Sequence, residues 1–480
     1  MLSETNSSLS VNENIKELLE VFTQVINGNN NELRKQAEEK LQKLEINVID
    51  FTVLASKLII LKDENLDISD SIRLTIIVYL KNLIIKTLDN NPNFKIQNYQ
   101  QLIEILINLS INGSLINNAI QENINNILQL VVNKFDNALL QETSRNLHNF
   151  KGENDNEIKY FIKIIDYLKE NINSNNLYSL LGVANTLFTI LSSNIKSSEF
   201  LKIFNLSLSV LKVIYDSTNA LMSSVTQLKD ETDINNFSKL MSIKKIYYES
   251  LFFISMKLKK TNMLKDNIYE EFINNYFDAA ITNILYNVYP LISENNNNNS
   301  NQTNNLFFCF TENAALDKAV NIMKAKAFML ISLYVQNEAP EIKNNIVIDR
   351  CTKLFTIICI GFKYLINNKY DYISKMGRDN INYPDNEYNS IIFQANLFLS
   401  RILVREPILS DMQMHIKEFV EEIVIPLLLT TEKEYLNFKT DGEEHHLFYI
   451  DCLGEFVSLY KFLYVLLNSK INHIKHQLLL

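Results

Sequence analysis

The chain has 480 residues, of which 47% are hydrophobic and 21% charged, and its formal net charge is −9. It contains only 8 Gly and 6 Pro, whereas average usage is roughly 7% and 5% of residues. Turn-rich β-sandwiches, barrels and propellers need these residues, and so do the phosphate-binding loops of Rossmann and P-loop enzymes, so both classes are excluded. A helical protein remains, in which the abundant Asn takes the turn and cap positions.

The charge balance and the cysteines limit the partners and the compartment. A net acidic chain argues against nucleic acid and anionic membranes as main partners and suits basic protein partners. None of the four cysteines forms a C-x-x-C pair, which predicts buried thiols in a reducing compartment. The first twenty residues lack the basic and apolar regions of a signal peptide, and no stretch is apolar enough for a transmembrane span.

Apolar residues recur at helical spacing along almost the whole chain. The first four stripes are Ile15, Leu18, Leu19, Phe22 and Ile26; Leu33, Ala37, Leu41 and Leu44; Leu54, Leu58 and Leu61; and Ile72, Ile76, Leu80, Leu83 and Ile84. Further helices are predicted near 100–109, 116–134, 157–171, 176–193, 197–216, 237–259, 265–292, 312–335, 341–367, 389–404, 411–429 and 446–468.

The number and one-sided character of these stripes predict the fold class. A single bundle of so many helices would need several that are apolar all round, whereas most stripes here cover one face. One-sided helices in long series stack as pairs, each burying its face on the next. We therefore expect an all-α fold, a HEAT/armadillo-like α-solenoid superhelix of antiparallel helix pairs. The spacing of roughly 40 residues per pair favours HEAT over TPR repeats.

The expected organisation follows the stripes and the polar breaks. Residues 1–12 are predicted to be a disordered N-terminus, and an Asn-rich, low-complexity run is predicted to be a flexible loop. A polar stretch with one Gly and one Pro predicts a long loop inside the helical array. The predicted segments are 1–12; helical repeats 13–90 and 91–292; the Asn-rich loop 293–305; and helical repeats 306–480, with the long loop near 370–389.

Two stretches resemble a known family. The first has an Ala-Glu-x-x-Leu helix, an apolar helix and then Ile-Arg followed by Leu-Lys-Asn-x-Ile, in an order and spacing similar to the N-terminal domain of importin-β-type karyopherins. The helix pair in 118–136 resembles the pair that follows in that family. The matching residues are Ala37, Glu38, Leu41, Phe51, Leu54, Ile72, Arg73, Leu80, Lys81, Asn82 and Ile84.

The second stretch lies near the end of the chain. A helix with Ile-x-Ile-Pro, followed by an acidic segment with Phe before Asp-x-Glu-Glu, is similar to the CAS-type exportins and the importin-seven/eight group. The matching residues are Ile423, Ile425, Pro426, Glu434, Phe438, Asp441, Glu443 and Glu444. The two stretches together cover about 150 residues at the two ends of the chain.

The resemblance implies a nucleocytoplasmic transport receptor, nuclear and cytoplasmic, that needs no cofactor. It implies binding of the GTP form of the GTPase Ran on the N-terminal repeats, with Arg73, Lys81 and Asn82 as contacts. Protein cargo or an importin-α-like adaptor, and nuclear pore proteins, are the other implied partners. An acidic segment that contacts Ran or a basic cargo peptide is implied by Glu432, Glu434, Asp441, Glu443 and Glu444.

Each of these residues also has a purely structural interpretation. Arg73 can bind a carboxylate of a neighbouring repeat, Lys81 and Asn82 can be solvated, and the acidic segment can be a solvated loop. Three further acidic residues, Glu418, Glu421 and Glu422, share one helix face, which is typical of solvent exposure.

No catalytic or metal-binding arrangement emerges from the sequence. There is no GxSxG, Walker A or HRD motif, and His445 and His446 stand outside any HExxH motif. The chain is therefore predicted not to be an enzyme and to hold no metal. The alternative to a transport receptor is a Ran-independent HEAT-repeat scaffold for protein interactions.

Overall fold

The structure is a computed structural model of the chain. It describes residues 4–27, 31–44, 47–61, 68–91, 94–112, 118–145, 154–193, 197–260, 267–286, 288–292, 309, 311, 313–337, 345–377, 391–402 and 418–428. Every regular element in these residues is a helix, which confirms the predicted all-α class.

Fifteen α-helices are named here in chain order. They are α1 (Glu4–Asn27), α2 (Asn31–Leu44), α3 (Val48–Ile60), α4 (Asp70–Asn90), α5 (Ile96–Asn112), α6 (Asn118–Arg145), α7 (Asn154–Glu170), α8 (Leu177–Ser192), α9 (Ser197–Ser224), α10 (Glu231–Lys260), α11 (Asn267–Ile284), α12 (Ala314–Asn337), α13 (Asn345–Gly377), α14 (Ile391–Ile402) and α15 (Ile425–Leu428). A 3-10 helix covers Tyr289–Leu291, and a π-helix covers Val420–Val424.

Asparagine caps several of these helices, as the composition predicts. The side chain of Asn47 accepts a hydrogen bond from the backbone N–H of Ile49 at the start of α3. Asn176 does the same for the first turn of α8, and Asn313 accepts from the N–H of Leu316 in α12. The first N–H groups of a helix have no partner inside the helix, and an Asn side chain satisfies them. An asparagine at such a position therefore favours the start of a helix at the next residue.

Two predicted irregular segments are partly helical. The segment predicted to be a disordered N-terminus overlaps α1, which begins at Glu4, and Ile15 of this helix is buried. The segment predicted to be a loop near 370–389 overlaps α13, which continues to Gly377. Tyr370 and Ile373 continue its spaced apolar pattern, and a glycine is a common helix terminator. Residues 378–390 and the Asn-rich run 293–305 lie outside the described residues.

The chain divides into two compact units, unit 1 (Met1–Thr218) and unit 2 (Asn219–Leu480). In unit 1, helices that are adjacent in sequence form hairpins, α3 with α4 and α5 with α6. The hairpins also stack, because α3 packs on α5, α4 packs on α6, and α6 packs on α8. Contacts between first helices and between second helices therefore both occur along this part of the unit, and α5 in addition packs on α8.

Two tyrosines fix the alignment of α7 on α5. The hydroxyl of Tyr160 donates to the backbone carbonyl of Gln100 at 3.1 Å. About two turns further along α7, the hydroxyl of Tyr167 donates to Oδ1 of Asn108 at 2.5 Å. Since both pairs advance in the same direction along the chain, α5 and α7 run parallel.

The hairpin α5–α6 is antiparallel and closely packed against α8. Tyr99, at the start of α5, contacts Phe135, late in α6, whereas Ser110, at the end of α5, accepts a hydrogen bond from Gln121, early in α6. Gly182 of α8 lies against the end of α5, so that a Cβ atom there would be 2.3 Å from the carbonyl oxygen of Ser110. Only glycine permits this approach of two backbones.

Unit 2 is organised around α12, which packs against α10, α11 and α14. Nearly every described side chain of α12 from Val320 to Val335 is buried, including Lys324 and Lys326. This helix is therefore an exception among the mostly one-sided stripes of the sequence. The two lysines indicate a solvent face in sequence, but both lie in the interior, where Lys326 binds Glu249 of α10.

A widened helical turn precedes Pro426 in unit 2. The N–H of Ile425 donates to the carbonyl of Val420, five residues back, which defines the π-helix. Proline lacks an N–H, and its ring crowds the carbonyl four residues earlier, so a widened turn at this position accommodates it. Phe355 of α13 packs against Phe419, just before this turn.

Candidate functional site

Arg73 is engaged inside unit 1. Its Nε donates to the carbonyl of Ile59 at 3.0 Å, and its Nη2 donates to the carbonyl of Leu61 at 3.1 Å. An ion pair of 3.5 Å joins it to Asp70, and its side chain is 13% exposed. These carbonyls belong to the end of α3, where helical acceptors lack partners. The guanidinium thus caps α3 from α4, and its acceptors are backbone groups instead of a carboxylate in another repeat.

Lys81 and Asn82 lie two turns further along α4. Asn82 is exposed and Lys81 is half-buried. Val78 and Lys86 lie one turn on either side of Asn82, and both are exposed. We call Val78, Asn82 and Lys86 the outer face of α4. The structure thus leaves Asn82 and Lys81 accessible, while it draws Arg73 into the α3–α4 hairpin.

A row of amide side chains on α6 was missed by the sequence reasoning. Asn126, Gln129, Asn133 and Asn137 recur at helical spacing and, with Leu130 and Lys134, line an open depression of about 330 Å³. Lys134 also binds Asp89 of α4 at 2.9 Å. The spacing of these amides was the available signal, but Asn is so frequent in this chain that the row did not stand out.

The acidic surfaces near the C-terminus are only partly within the described residues. Glu432, Glu434, Asp441, Glu443 and Glu444 lie outside them, as do both histidines of the His-His pair. Glu418 and Glu422 are described, and both bind Lys363 of α13, at 3.6 and 3.0 Å. The hydrogen bond with Glu422, more than any other contact, raises the pKa of Lys363. This acidic face is therefore partly neutralised by α13.

Unit 2 contains a buried lysine between α10 and α11. Nζ of Lys244 donates to Oδ1 of Asn283 at 2.5 Å and lies 5.9 Å from the centre of the Tyr286 ring. Nδ2 of Asn283 in turn donates to the hydroxyl of Tyr248 at 2.7 Å and to the carbonyl of Ala279. Burial lowers the pKa of Lys244 to about 8, and the amide oxygen that accepts from its amine carries no charge.

A second polar contact joins α10 to α12. Nζ of Lys326 is 3.0 Å from Oε1 of Glu249, and the two side chains are 8% and 16% exposed. Lys245 approaches the same carboxylate at 4.0 Å. A single glutamate therefore balances two lysines at the interface of the two most extensively packed helices of unit 2.

A third buried cluster surrounds the start of α12. Oδ1 of Asn321 accepts from the backbone N–H of Cys309 at 2.9 Å, and its Nδ2 donates to the carbonyl of the same residue at 2.9 Å. Asp317 accepts from the N–H of Thr311 at 2.7 and 2.9 Å, from its hydroxyl at 2.8 Å, and from the thiol of Cys309 at 3.4 Å. Asp317 and Asn321 of α12 thus bind Cys309 and Thr311, and we call these two bound residues the latch.

Lys324 lies one turn beyond Asn321 and is only 1% exposed. Burial lowers the pKa of Lys324 from 10.5 to about 8, and the nearby Cys309 raises it by a smaller amount. A lysine with a lowered pKa is sometimes a nucleophile, but such a role needs access to substrate. The side chain has no such access here, so the cluster has the character of an internal polar network.

The lowered lysine pKa values predict a stability that rises with pH. At Lys244 and Lys324 the unfolded chain binds more protons than the folded chain between about pH 8 and 10.5, so each lysine increases the free energy of unfolding across that window, while the raised pKa of Cys359 opposes the increase above about pH 9. From pH 7.5 to 9.5 we expect unit 2 to gain on the order of 1 to 2 kcal/mol per buried lysine. Urea denaturation at pH 7.5, 8.5 and 9.5 will measure it, and Lys324→Met should reduce the slope.

The exposed Lys353 supplies the control for this prediction. Its side chain is 67% exposed, so Lys353→Met should leave the pH profile unchanged. An unchanged slope in Lys324→Met relative to the original chain would contradict the burial of the Lys324 ammonium group.

The described cysteines confirm the prediction of buried thiols in part. Cys309 and Cys351 are buried, and Cys359 is half-buried. Burial is the main reason that the pKa of Cys359 rises to about 12, so its thiol is a poor nucleophile. Cys452 lies outside the described residues.

Membrane-spanning helices and metal-binding clusters are both absent from the described residues. None of the helices in this part of the chain combines the length and apolar character that crossing a membrane requires. The same residues contain no group of three or more His, Cys, Asp or Glu that could hold a metal ion.

Comparison with known proteins yields no relative. No family model, curated protein or solved structure matches the chain.

Proposed function

We propose that this chain is a transport receptor of the importin-β superfamily type, most similar to the CAS-type exportins and the importin-seven/eight group. It would bind the GTP form of Ran on its N-terminal repeats and carry protein cargo or an importin-α-like adaptor between nucleus and cytoplasm, past nuclear pore proteins. The observation that supports this proposal most is the stacking of hairpins in unit 1.

The stacking is what a HEAT-like α-solenoid requires. In such a fold each helix pair buries its apolar face on the next pair, and contacts between first helices alternate with contacts between second helices. The contacts of α3 with α5, α4 with α6 and α6 with α8 follow this scheme, whereas the contact of α5 with α8 joins a first helix to a second one. Two tyrosine hydrogen bonds also join α7 to α5 in a parallel direction.

The mechanism in this proposal is conformational and needs no covalent chemistry. In a stacked array small shifts at each interface add up, so a partner bound to one part of the array can change the affinity of another part. The open depression on α6 and the exposed Asn82 are the kinds of surface that such a protein offers to partners.

The three residues proposed for Ran now divide into two groups. Lys81 and Asn82 remain available for a contact on α4, whereas the capping bonds of Arg73 support a positioning role within the α3–α4 hairpin. The proposal therefore assigns the contact to Lys81 and Asn82. Contacts through Glu432, Glu434, Asp441, Glu443 and Glu444 remain part of the proposal.

The second candidate is a Ran-independent HEAT-repeat scaffold for protein interactions. The internal engagement of Arg73 favours it, because one of the three residues that carried the resemblance to the Ran surface serves the fold. A scaffold would use the same stacked helices without dependence on a nucleotide.

A binding experiment separates the two candidates. The purified chain is immobilised and incubated with Ran locked in the GTP form and in the GDP form. We expect retention of the GTP form at low micromolar concentration and little retention of the GDP form. Equal retention of both forms, or none, would support the scaffold.

A paired variant tests the assigned contact. Lys81→Glu combined with Asn82→Ala should weaken binding of the GTP form about tenfold or more, equivalent to about 1.4 kcal/mol, without a change in melting temperature. Lys163→Glu is the matched control, since Lys163 is an exposed lysine of α7 in the same unit. Equal affinities for both variants and the original chain would refute the role of Lys81 and Asn82.

A further inference from the structure

The guanidinium of Arg401 differs from those of the other arginines whose side chains the structure describes. Arg34 and Arg350 bind carboxylates, and Arg73 binds two backbone carbonyls and a carboxylate. Arg401 lies in the last turn of α14 and has no hydrogen-bond or ion-pair partner within the described residues. Its N–H donors are therefore available to an acceptor from another molecule.

The surroundings of Arg401 make the lack of a partner unfavourable. Its side chain is half-buried, and burial lowers its pKa, because part of the water around the guanidinium has been removed. A guanidinium stays protonated in proteins, so it cannot avoid this cost by losing its charge. A carboxylate would replace the lost hydration, since it can accept two parallel hydrogen bonds from one guanidinium.

Arg401 shares a face of α14 with an apolar side chain. Leu397 lies four residues earlier, on the same side of the helix, and is half-buried as well. The hydroxyl of Ser400 donates to the carbonyl of Leu397, so it is already used within the helix. The buried side of α14 is a different surface, since it packs on α12, where Phe398 contacts Phe328. Arginine is enriched in protein–protein interfaces, where surrounding contacts exclude water.

We propose that this face of α14 docks an acidic segment of a partner protein, whose carboxylate binds Arg401 and whose apolar side chain covers Leu397. Charge complementarity selects the carboxylate, because nucleic acid and anionic membranes are bound by several cations acting together, and the chain has a net charge of −9. This inference concerns unit 2 alone and does not depend on the proposed transport function.

Fluorescence anisotropy with the full-length chain tests the proposal. The probe is a labelled peptide with repeats of Leu-Leu-Glu-Glu, which offers apolar side chains and carboxylates together. The matched probe has Gln in place of every Glu. We expect the acidic peptide to bind about tenfold more tightly than the Gln peptide, because only a carboxylate pairs with the guanidinium. Equal affinities of the two peptides, or no binding of the acidic peptide, would overturn the proposal.

A charge reversal tests whether the acidic peptide binds at Arg401. Arg401→Glu should weaken its binding about tenfold or more, since a carboxylate repels the peptide where the guanidinium attracted it. Lys353→Glu is the matched control, because it makes the same charge change at an exposed residue of α13 in the same unit, and it should leave the affinity nearly unchanged. Equal affinities of the two variants would overturn the proposal.

A second variant covers the case in which Arg401→Glu does not fold. Arg401→Gln removes the charge and keeps a polar side chain, and it should weaken binding of the acidic peptide several-fold. The melting temperature should not fall, because the substitution removes an unpaired charge from a half-buried position. An unchanged affinity of Arg401→Gln for the acidic peptide would overturn the proposal.

Discussion

Replacing Glu249 with Gln will lower the free energy of unfolding of unit 2 by about 3 to 5 kcal/mol, the range measured for breaking a buried ion pair. Lys326 would keep its charge inside the α10–α12 interface without its carboxylate at 3.0 Å, and Lys245 would lose the same partner. Urea denaturation followed by circular dichroism will measure the loss. Hydrogen exchange of α10 and α12 will assign it to unit 2.

The double variant Glu249→Gln with Lys326→Met tests whether the loss of stability comes from the unpaired charge of Lys326. Removing both charges should restore most of the lost stability, since replacing a buried pair by apolar groups is often neutral. The exposed pair of Lys353 and Asp349, with side chains 67% and 63% exposed, is the control, and Asp349→Asn should have little effect. A loss below about 1 kcal/mol for Glu249→Gln would class the pair with surface salt bridges.

Replacing Gly182 with Ala will destabilise unit 1 by about 1 to 3 kcal/mol, the usual range for overpacking. The added Cβ would meet the carbonyl oxygen of Ser110 at 2.3 Å and the backbone carbon of the same residue at 2.7 Å. Both are backbone atoms, so α5 and α8 must separate to admit the methyl group. Chemical denaturation with hydrogen exchange of α5 and α8 will measure the effect.

The sign of the stability change caused by Gly182→Ala tests the close approach of α5 and α8. In an unobstructed helix, Gly→Ala stabilises by about 1 kcal/mol, because glycine has poor helix propensity. Asn185→Ala in the same helix is the control and should be neutral or slightly stabilising, since Asn185 is only half-buried. A stabilising effect of Gly182→Ala would refute the close approach of α5 and α8.

The fold was predictable where the pattern is local. Asn176 stands before an apolar run predicted as a helix over 176–193, and the structure has α8 at Leu177–Ser192 with Asn176 as its N-cap. Both signals, the cap and the stripe, are contained in one short segment. The stripe Ile72, Ile76, Leu80, Leu83 and Ile84 is likewise buried in α4.

The environment of α12 was not predictable, because it depends on distant partners. Lys324 and Lys326 in a helix normally mark a solvated face. Glu249, far earlier in the chain, instead provides the partner that brings Lys326 into the interior. The spacing of residues within α12 does not indicate that Glu249 lies beside Lys326.

The candidate site was predictable only as a set of alternatives. The sequence allowed Arg73 to serve either the fold or a partner, and its acceptors proved to be the carbonyls of Ile59 and Leu61. Every residue has a carbonyl, so no residue pattern identifies these acceptors. The latch escaped prediction for the same reason, because Asn321 binds the backbone of Cys309.

The two tyrosine bonds between α7 and α5 have a mechanical consequence. They attach α7 to Gln100 and to Asn108, which are about 12 Å apart along a helix at 1.5 Å per residue. One attachment would leave α7 free to pivot, whereas two at this separation resist both sliding and rotation. The two bonds together therefore favour a single register and direction of α7 against α5.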